Sequence, residues 1–322
     1  TELAALRAWI SAGAQAPADE QAEEDPRSHW SFLPPVRPVL PQNTDSAWVR
    51  TPIDAFISAE HLRNGLTPQS AADRLTWLRR VTLDLTGLPP GTAEQAMFLA
   101  DESPAAWDRV VDRLLASPQY GERWGRHWMD IWRYSDWWGL GDQLRNSQKH
   151  VWHWRDWIVD SLNTDKPYDR MITEMLAADE IAADDTTALA ATGFLGRNWY
   201  KFDRNVWMFD TVEQTAQAFL AVTLRCARCH DHKYDPLSQT EYYQFRAFFE
   251  PHDVRTDPLS ANLTTEKDAT LGDVLKEGVS RIYDRELDVP TYVFQRGDNR
   301  YPDKDRPVSP AVPAFLGGSV DI

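Results

Sequence analysis

The chain has only two cysteines, and they stand three residues apart, at Cys226 and Cys229. That spacing excludes a long-range disulfide framework, so the 322 residues must fold around an ordinary hydrophobic core. Cys226-Ala227-Arg228-Cys229-His230 fits C-x-x-C-H. Two thiols so spaced can add to the two vinyl groups of one haem, and the adjacent imidazole then meets the iron as an axial ligand. The motif predicts one covalent haem c, attached through Cys226 and Cys229, with His230 as proximal iron ligand. A redox-active C-x-x-C pair is an alternative, because the spacing lowers a thiol pKa. Such pairs normally open a helix after a strand, whereas this segment follows a helical stretch. A zinc site would draw on His230, His232 or Asp231, without the second cysteine pair that structural zinc usually recruits.

A six-coordinate iron needs a second ligand, commonly Met or His. No Met follows Met208, which leaves His127 upstream and His252 downstream as candidate distal ligands, with His150 as a further option. His232 is too near His230 to reach the opposite face. An open or water-bound iron is the remaining possibility. Arg123 and His127 are i and i+4, so they share a helix face. Above an open iron, such a pair would move a proton between peroxide oxygens and stabilise the departing charge. This makes Arg123 and His127 the candidate catalytic residues of a peroxidase-like site; the plainer reading pairs them with Glu122 or Asp130 on the surface.

Tryptophan is abundant, at 15 residues, and much of it is concentrated in one stretch. Trp124, Trp128 and Trp132 repeat at helical spacing and read as a core-packing stripe. Trp137, Trp138, Trp152, Trp154 and Trp157 continue through a loop with Gly139 and Gly141, where Asp136, Asp142 and Gln143 would suit a sugar ring. Asp231, Lys233 and Asp235 either brace the motif loop by salt bridges or present charge to a partner. The net charge of -15 argues against nucleic acid. It permits a basic redox partner protein, or a small-molecule or carbohydrate substrate. No run of 18 apolar residues is present, so no transmembrane segment is expected. The Thr-Glu-Leu opening, without Met, a basic stretch and an apolar core, reads as that of a processed chain.

Periodicity predicts a mainly α-helical chain, a multi-helix single domain around the haem, with a small irregular, β-containing C-terminal tail. Residues 2–12 read as a short amphipathic helix and 14–50 as a Pro-rich linker or arm. Residues 51–255 form the helical haem-binding region, with helices expected over 70–86, 119–135, 150–163, 167–178, 205–224 and 239–249. Residues 256–322 form an extended tail. Within it a short helix is expected in 264–285, a strand with a turn over 290–299, and a Pro-rich surface arm to the end.

Several segments carry a family resemblance. Cys-Ala-Arg-Cys-His-Asp-His-Lys-Tyr-Asp-Pro (226–236) followed by Tyr242-Tyr243 resembles the signature of the planctomycete cytochrome c-like family. Trp30 to Pro38, Pro52-Ile-Asp-Ala-Phe-Ile, Arg79 to Pro90, Tyr120 to Asp130 and Trp154 to Ile158 are similar to the same family, over roughly residues 28–255. The resemblance implies a c-type haem and a periplasmic or secreted location, without a settled reaction. It also makes residues 1–13 the remnant of a preceding cytochrome c domain, with a C-terminal partner domain absent. The leading expectation is a cytochrome-like electron-transfer protein. The alternatives are a haem enzyme with an open distal site, and a secreted carbohydrate-binding module whose haem or metal is structural.

Overall fold

Polar caps set where several of the helices begin. The structure, a computed structural model, describes residues 2–15, 24–42, 44–45, 47–135, 149–200, 202–259, 264–268, 272–285 and 289–317. Helix α1 (Glu2–Ser11) has no buried residue. Two 3-10 turns, Pro26–Ser28 and Trp30–Phe32, precede α2 (Pro52–Arg63). Thr51 and Asp54 form a reciprocal capping box at its start, with Pro52 in the first turn. Helix α3 (Arg74–Thr86) starts later than the periodicity suggests. The Asp73 carboxylate accepts the free N–H groups of Leu75 and Thr76 and fixes the boundary there.

Helices α3, α4 (Thr92–Ala100) and α5 (Ala106–Leu115) enclose a small separate core of Leu78, Phe98, Ala106, Val110 and Leu114. Ala106, Val110 and Leu114 recur at i, i+4 and i+8, which is why one face of α5 is apolar. Trp77 and Trp107 close that core edge to face at 4.6 Å. The Arg74 guanidinium lies 4.1 Å from the Phe98 ring centroid.

Helix α6 (Pro118–Ile131) packs on α3 and on α7 (Trp152–Asn163). Gly121 makes the α6–α7 contact possible, since a Cβ there would lie 2.5 Å from the Val159 carbonyl oxygen. Its N–H donates to Asn163 Oδ1 at 2.8 Å. The main core lies beyond, among α7, α8 (Tyr168–Ile181), α9 (Thr186–Ala191), α10 (Gly193–Gly196), α11 (Arg204–Thr215) and α12 (Gln239–Ala247). Trp132, Trp154, Ile158, Met175, Met208 and Tyr242 are fully buried in it. The helix expected over 205–224 stops at Thr215, passes through a π-helical turn at Ala216–Leu220 and turns sharply at Ala221, whose φ is +55°.

The C-terminal part departs most from expectation. Where a short helix was expected in 264–285, the chain forms β2 (Thr265–Asp268), β3 (Gly272–Leu275) and β4 (Gly278–Asp284). β4 pairs antiparallel with β1 (His252–Pro258) and sends Val279 and Ile282 into the main core. Pairing with β1 supplies β4 with backbone partners, and its β-branched residues favour that pleated, buried setting over a helix turn. β2 pairs with β3, and β5 (Thr291–Phe294) with β6 (Pro302–Val308), giving three two-stranded antiparallel sheets among the described residues. The expected surface arm is therefore partly a strand. Beyond β6, Ala314 N–H donates to Glu241 on α12 at 2.8 Å, and Phe315 packs edge to face on Phe32 at 5.3 Å. The fold is mainly α, with a small β-containing C-terminal part. Among the described residues, no helix is long and apolar enough to cross a membrane.

Candidate functional site

The C-x-x-C-H segment lies on a 3-10 turn, Arg225–Arg228, that follows the sharp bend at Ala221. Leu224 and Ala227 are buried and anchor the turn inward. Arg228 also folds inward, its guanidinium 4.6 Å from the Phe209 ring centroid and 3.4 Å from the Glu213 carboxylate. Burial pushes the Glu213 carboxyl above its ordinary range, while Arg228 draws it back. With the two intervening residues facing the core, Cys226 and His230 are exposed and Cys229 is half-buried; both thiols are free.

Three residues outside the motif fasten the turn. The Gln239 side-chain amide donates to the carbonyls of Arg228 at 3.2 Å, Cys229 at 3.1 Å and Phe294 at 3.0 Å, tying the turn to β5. The Tyr243 hydroxyl donates to the Arg228 carbonyl at 3.0 Å. Gly297, at φ +75°, lies so close that a Cβ there would stand 2.6 Å from Cys229 Sγ. Sequence reasoning gave none of them this role, although Tyr243 stood within the family signature. The turn at 297–299 was legible, but no spacing rule connects it to a cysteine so far back along the chain.

The imidazole of His230 is oriented by its own loop. Its Nδ1 lies 2.8 Å from the Asp231 carbonyl oxygen, a contact that requires the proton on Nδ1 and leaves the Nε2 lone pair free. This is the tautomer a metal-binding histidine needs. Two free cysteines three apart, one exposed and one half-buried, followed by an imidazole with a free Nε2, fit the donor set of a covalent haem. Asp231 is a brace, accepting the Gln239 backbone N–H at 2.7 Å. His232 is another, since its Nδ1 accepts the Asp235 N–H at 2.8 Å. Lys233 is exposed and lies 5.1 Å from the Tyr234 ring. Among the described residues, no group of three or more His, Cys, Asp or Glu is arranged to hold a metal ion.

The structure does not gather the other candidates at the motif. Arg123 packs over Gly87, just past the end of α3, and His127 is exposed beside Trp124, at 5.5 Å between rings. No residue of α6 is among those that hold the motif turn. His252 is buried beyond the opposite end of α12 from Gln239, with Nδ1 on the Phe249 carbonyl. His150 is buried too, with Nε2 3.2 Å from the Leu275 carbonyl oxygen. Of the tryptophan stripe, Trp132 is buried and stacks on half-buried Trp128 at 5.1 Å, whereas Trp124 is exposed. The candidate sugar-binding loop at 136–148 lies outside the described residues.

No curated protein and no solved structure matches this sequence. A family profile does, over residues 52–254, which takes in α2 through the motif to the start of β1. The chain belongs to the PSCyt2 family, described as protein of unknown function (DUF1549).

Proposed function

We propose that this chain carries one haem c on Cys226, Cys229 and His230 and passes electrons outside the cytoplasm, as a cytochrome-like member of its family. The observation that carries the reading is the turn itself: Cys226 is exposed, Cys229 is half-buried beside Gly297, both thiols are free, and the Asp231 carbonyl holds His230 with Nε2 free. The haem would supply one-electron chemistry at iron. The chain's own residues do the positioning. Gln239 and Tyr243 fix the carbonyls of the turn, and Arg228 fills the space beneath it. An exposed attachment turn suits transfer to a docked partner, because the redox group then lies near the surface. The surplus of acidic residues favours a basic partner.

Pyridine haemochrome absorbance and the intact mass of the denatured native protein test this. The expected result is a c-type spectrum and a mass above the bare chain by one haem. Both should vanish in the Cys226→Ala/Cys229→Ala double variant. A colourless native protein with the bare-chain mass overturns the reading. A low-spin oxidised spectrum agrees with electron transfer, whereas a high-spin form that binds cyanide moves the assignment to an open-site haem enzyme.

A further inference from the structure

Residues 33–41, Leu-Pro-Pro-Val-Arg-Pro-Val-Leu-Pro, belong to no helix or strand. Four of them are prolines, and Leu33, Pro34, Arg37 and Leu40 each precede one. A proline ring fixes its own φ, and the residue before it is pushed out of the helical region. Val36 and Val39 alone escape both restraints. The stretch is thus built for a polyproline II conformation, and Leu33, at φ -89° and ψ 145°, already has it.

That conformation makes no internal hydrogen bonds and leaves its carbonyls open. From 34 to 41, among the described residues, one backbone group is engaged: the Leu40 carbonyl, which accepts from the Gln42 side-chain amide at 3.5 Å. Both ends are fastened to the fold. Phe32 packs on Phe315, 5.3 Å between ring centroids. Asp45 N–H donates to the buried hydroxyl of Ser58 on α2 at 2.8 Å. The stretch is therefore held in place rather than trailing.

A polyproline II helix repeats every three residues, so Leu33, Val36 and Val39 share one edge. They are 52%, 86% and 87% exposed. This makes an apolar ridge about 19 Å long, at ~3.1 Å per residue. Pro35, Pro38 and Pro41 form the second edge. The third carries Arg37, the one charged residue from 30 to 44, exposed and without an ion pair among the described residues. A lone exposed valine is ordinary, but three in register on a proline-stiffened, anchored stretch form a continuous strip. Its ordering cost is met on folding, which favours binding.

We propose that residues 33–41 are a docking ridge for a partner protein whose groove is lined by aromatic rings and flanked by a carboxylate. Aromatic faces pack on the proline and valine edges, and ring N–H or O–H donors meet the open carbonyls. The carboxylate takes Arg37, the free cation in the middle of the strip. The proposal does not depend on the haem reading.

A WW domain and an SH3 domain, whose grooves have this character, are the probes, titrated calorimetrically into the full chain. At least one should bind. Val36→Asp should weaken that binding by at least about tenfold, the loss of one buried valine contact. Arg37→Glu should weaken it by about fivefold, the upper range for an exposed ion pair. Pro38→Ala, which keeps both contacts and loosens the backbone, should weaken it in the same direction. All three positions are exposed, so the melting temperature should not move. Cys226→Ala/Cys229→Ala should bind like the parent. Binding of neither domain overturns the proposal, as does unchanged affinity in Val36→Asp and Arg37→Glu. Sedimentation showing a dimer of the chain alone, dissolved by Val36→Asp, also overturns it and assigns the ridge to a second copy.

Discussion

Gln239→Met tests whether one side chain fastens the motif turn to the C-terminal hairpin. Methionine keeps the unbranched length and removes the amide. The amide's two hydrogens serve three carbonyls, those of Arg228, Cys229 and Phe294, so the loss amounts to roughly two net hydrogen bonds. At ~1 kcal/mol each, and with partial rehydration of a turn near the surface, the expected destabilisation is about 2 kcal/mol. Unfolding entropy of ~2.1 cal/mol/K per residue over this chain gives roughly 0.7 kcal/mol/K, so the melting temperature should fall by about 3 °C. Calorimetry of parent and variant measures the shift. Thiol titration of the unmodified chain should show Cys229 reacting faster in the variant, because the turn that shelters it has been released. A melting temperature within about 1 °C of the parent, with unchanged thiol kinetics, would refute the clamp.

Gly297→Ala should be destabilising by at least ~1 kcal/mol, because φ is +75° there and the new Cβ would press on Cys229 Sγ; equal thermal stability would count against the contact. Glu174 is buried and accepts from Trp157 Nε1 at 3.0 Å, Lys166 Nζ at 2.6 Å and Arg170 Nε at 2.8 Å. Burial alone would raise its pKa, but Lys166, Arg170 and Trp157 together hold it below the ordinary value. The unfolded chain therefore takes up the proton first as pH falls. The contribution is complete above ~4.3 and drains away below it, through the folded-state value. Glu174→Gln should cost roughly 3 kcal/mol at pH 7, and denaturant melts should show the gap to the parent narrowing toward pH 3; a gap independent of pH would sink this assignment.

Helix existence was legible where apolar residues recurred at helical spacing, as over 150–163 and 167–178, which the structure shows as α7 and α8. The β-containing end was harder. The segment Gly278–Asp284 carries Val279 and Ile282 three apart, which fits a helix face as well as a strand. Its pairing with β1, far back in sequence, decides the matter, and nothing local encodes that partner. The same limit applies to the site. The motif names its three chemical groups, but the residues that hold them come from α12 and the β5–β6 turn, by contacts that exist only once the chain has folded.

His230, His232 and His252 are the same side chain in one stretch of sequence, and their Nδ1 atoms decide what each can do. Nδ1 of His232 accepts the Asp235 N–H, so its proton sits on Nε2 and the ring offers no lone pair to a metal. In His230 and His252, Nδ1 faces a carbonyl oxygen, of Asp231 and Phe249, and both leave Nε2 bare. Burial then separates these two. His230 is exposed beside two free thiols, whereas His252 is enclosed among aromatic rings, with its Nε2 out of reach of solvent. Ligand capability therefore needs two conditions, a tautomer set by the nearest backbone group and an approach path set by the fold. Spacing from the cysteines reports on neither, which is why His252 stood level with His127 as a distal ligand in the sequence and stands apart from the motif in the folded chain.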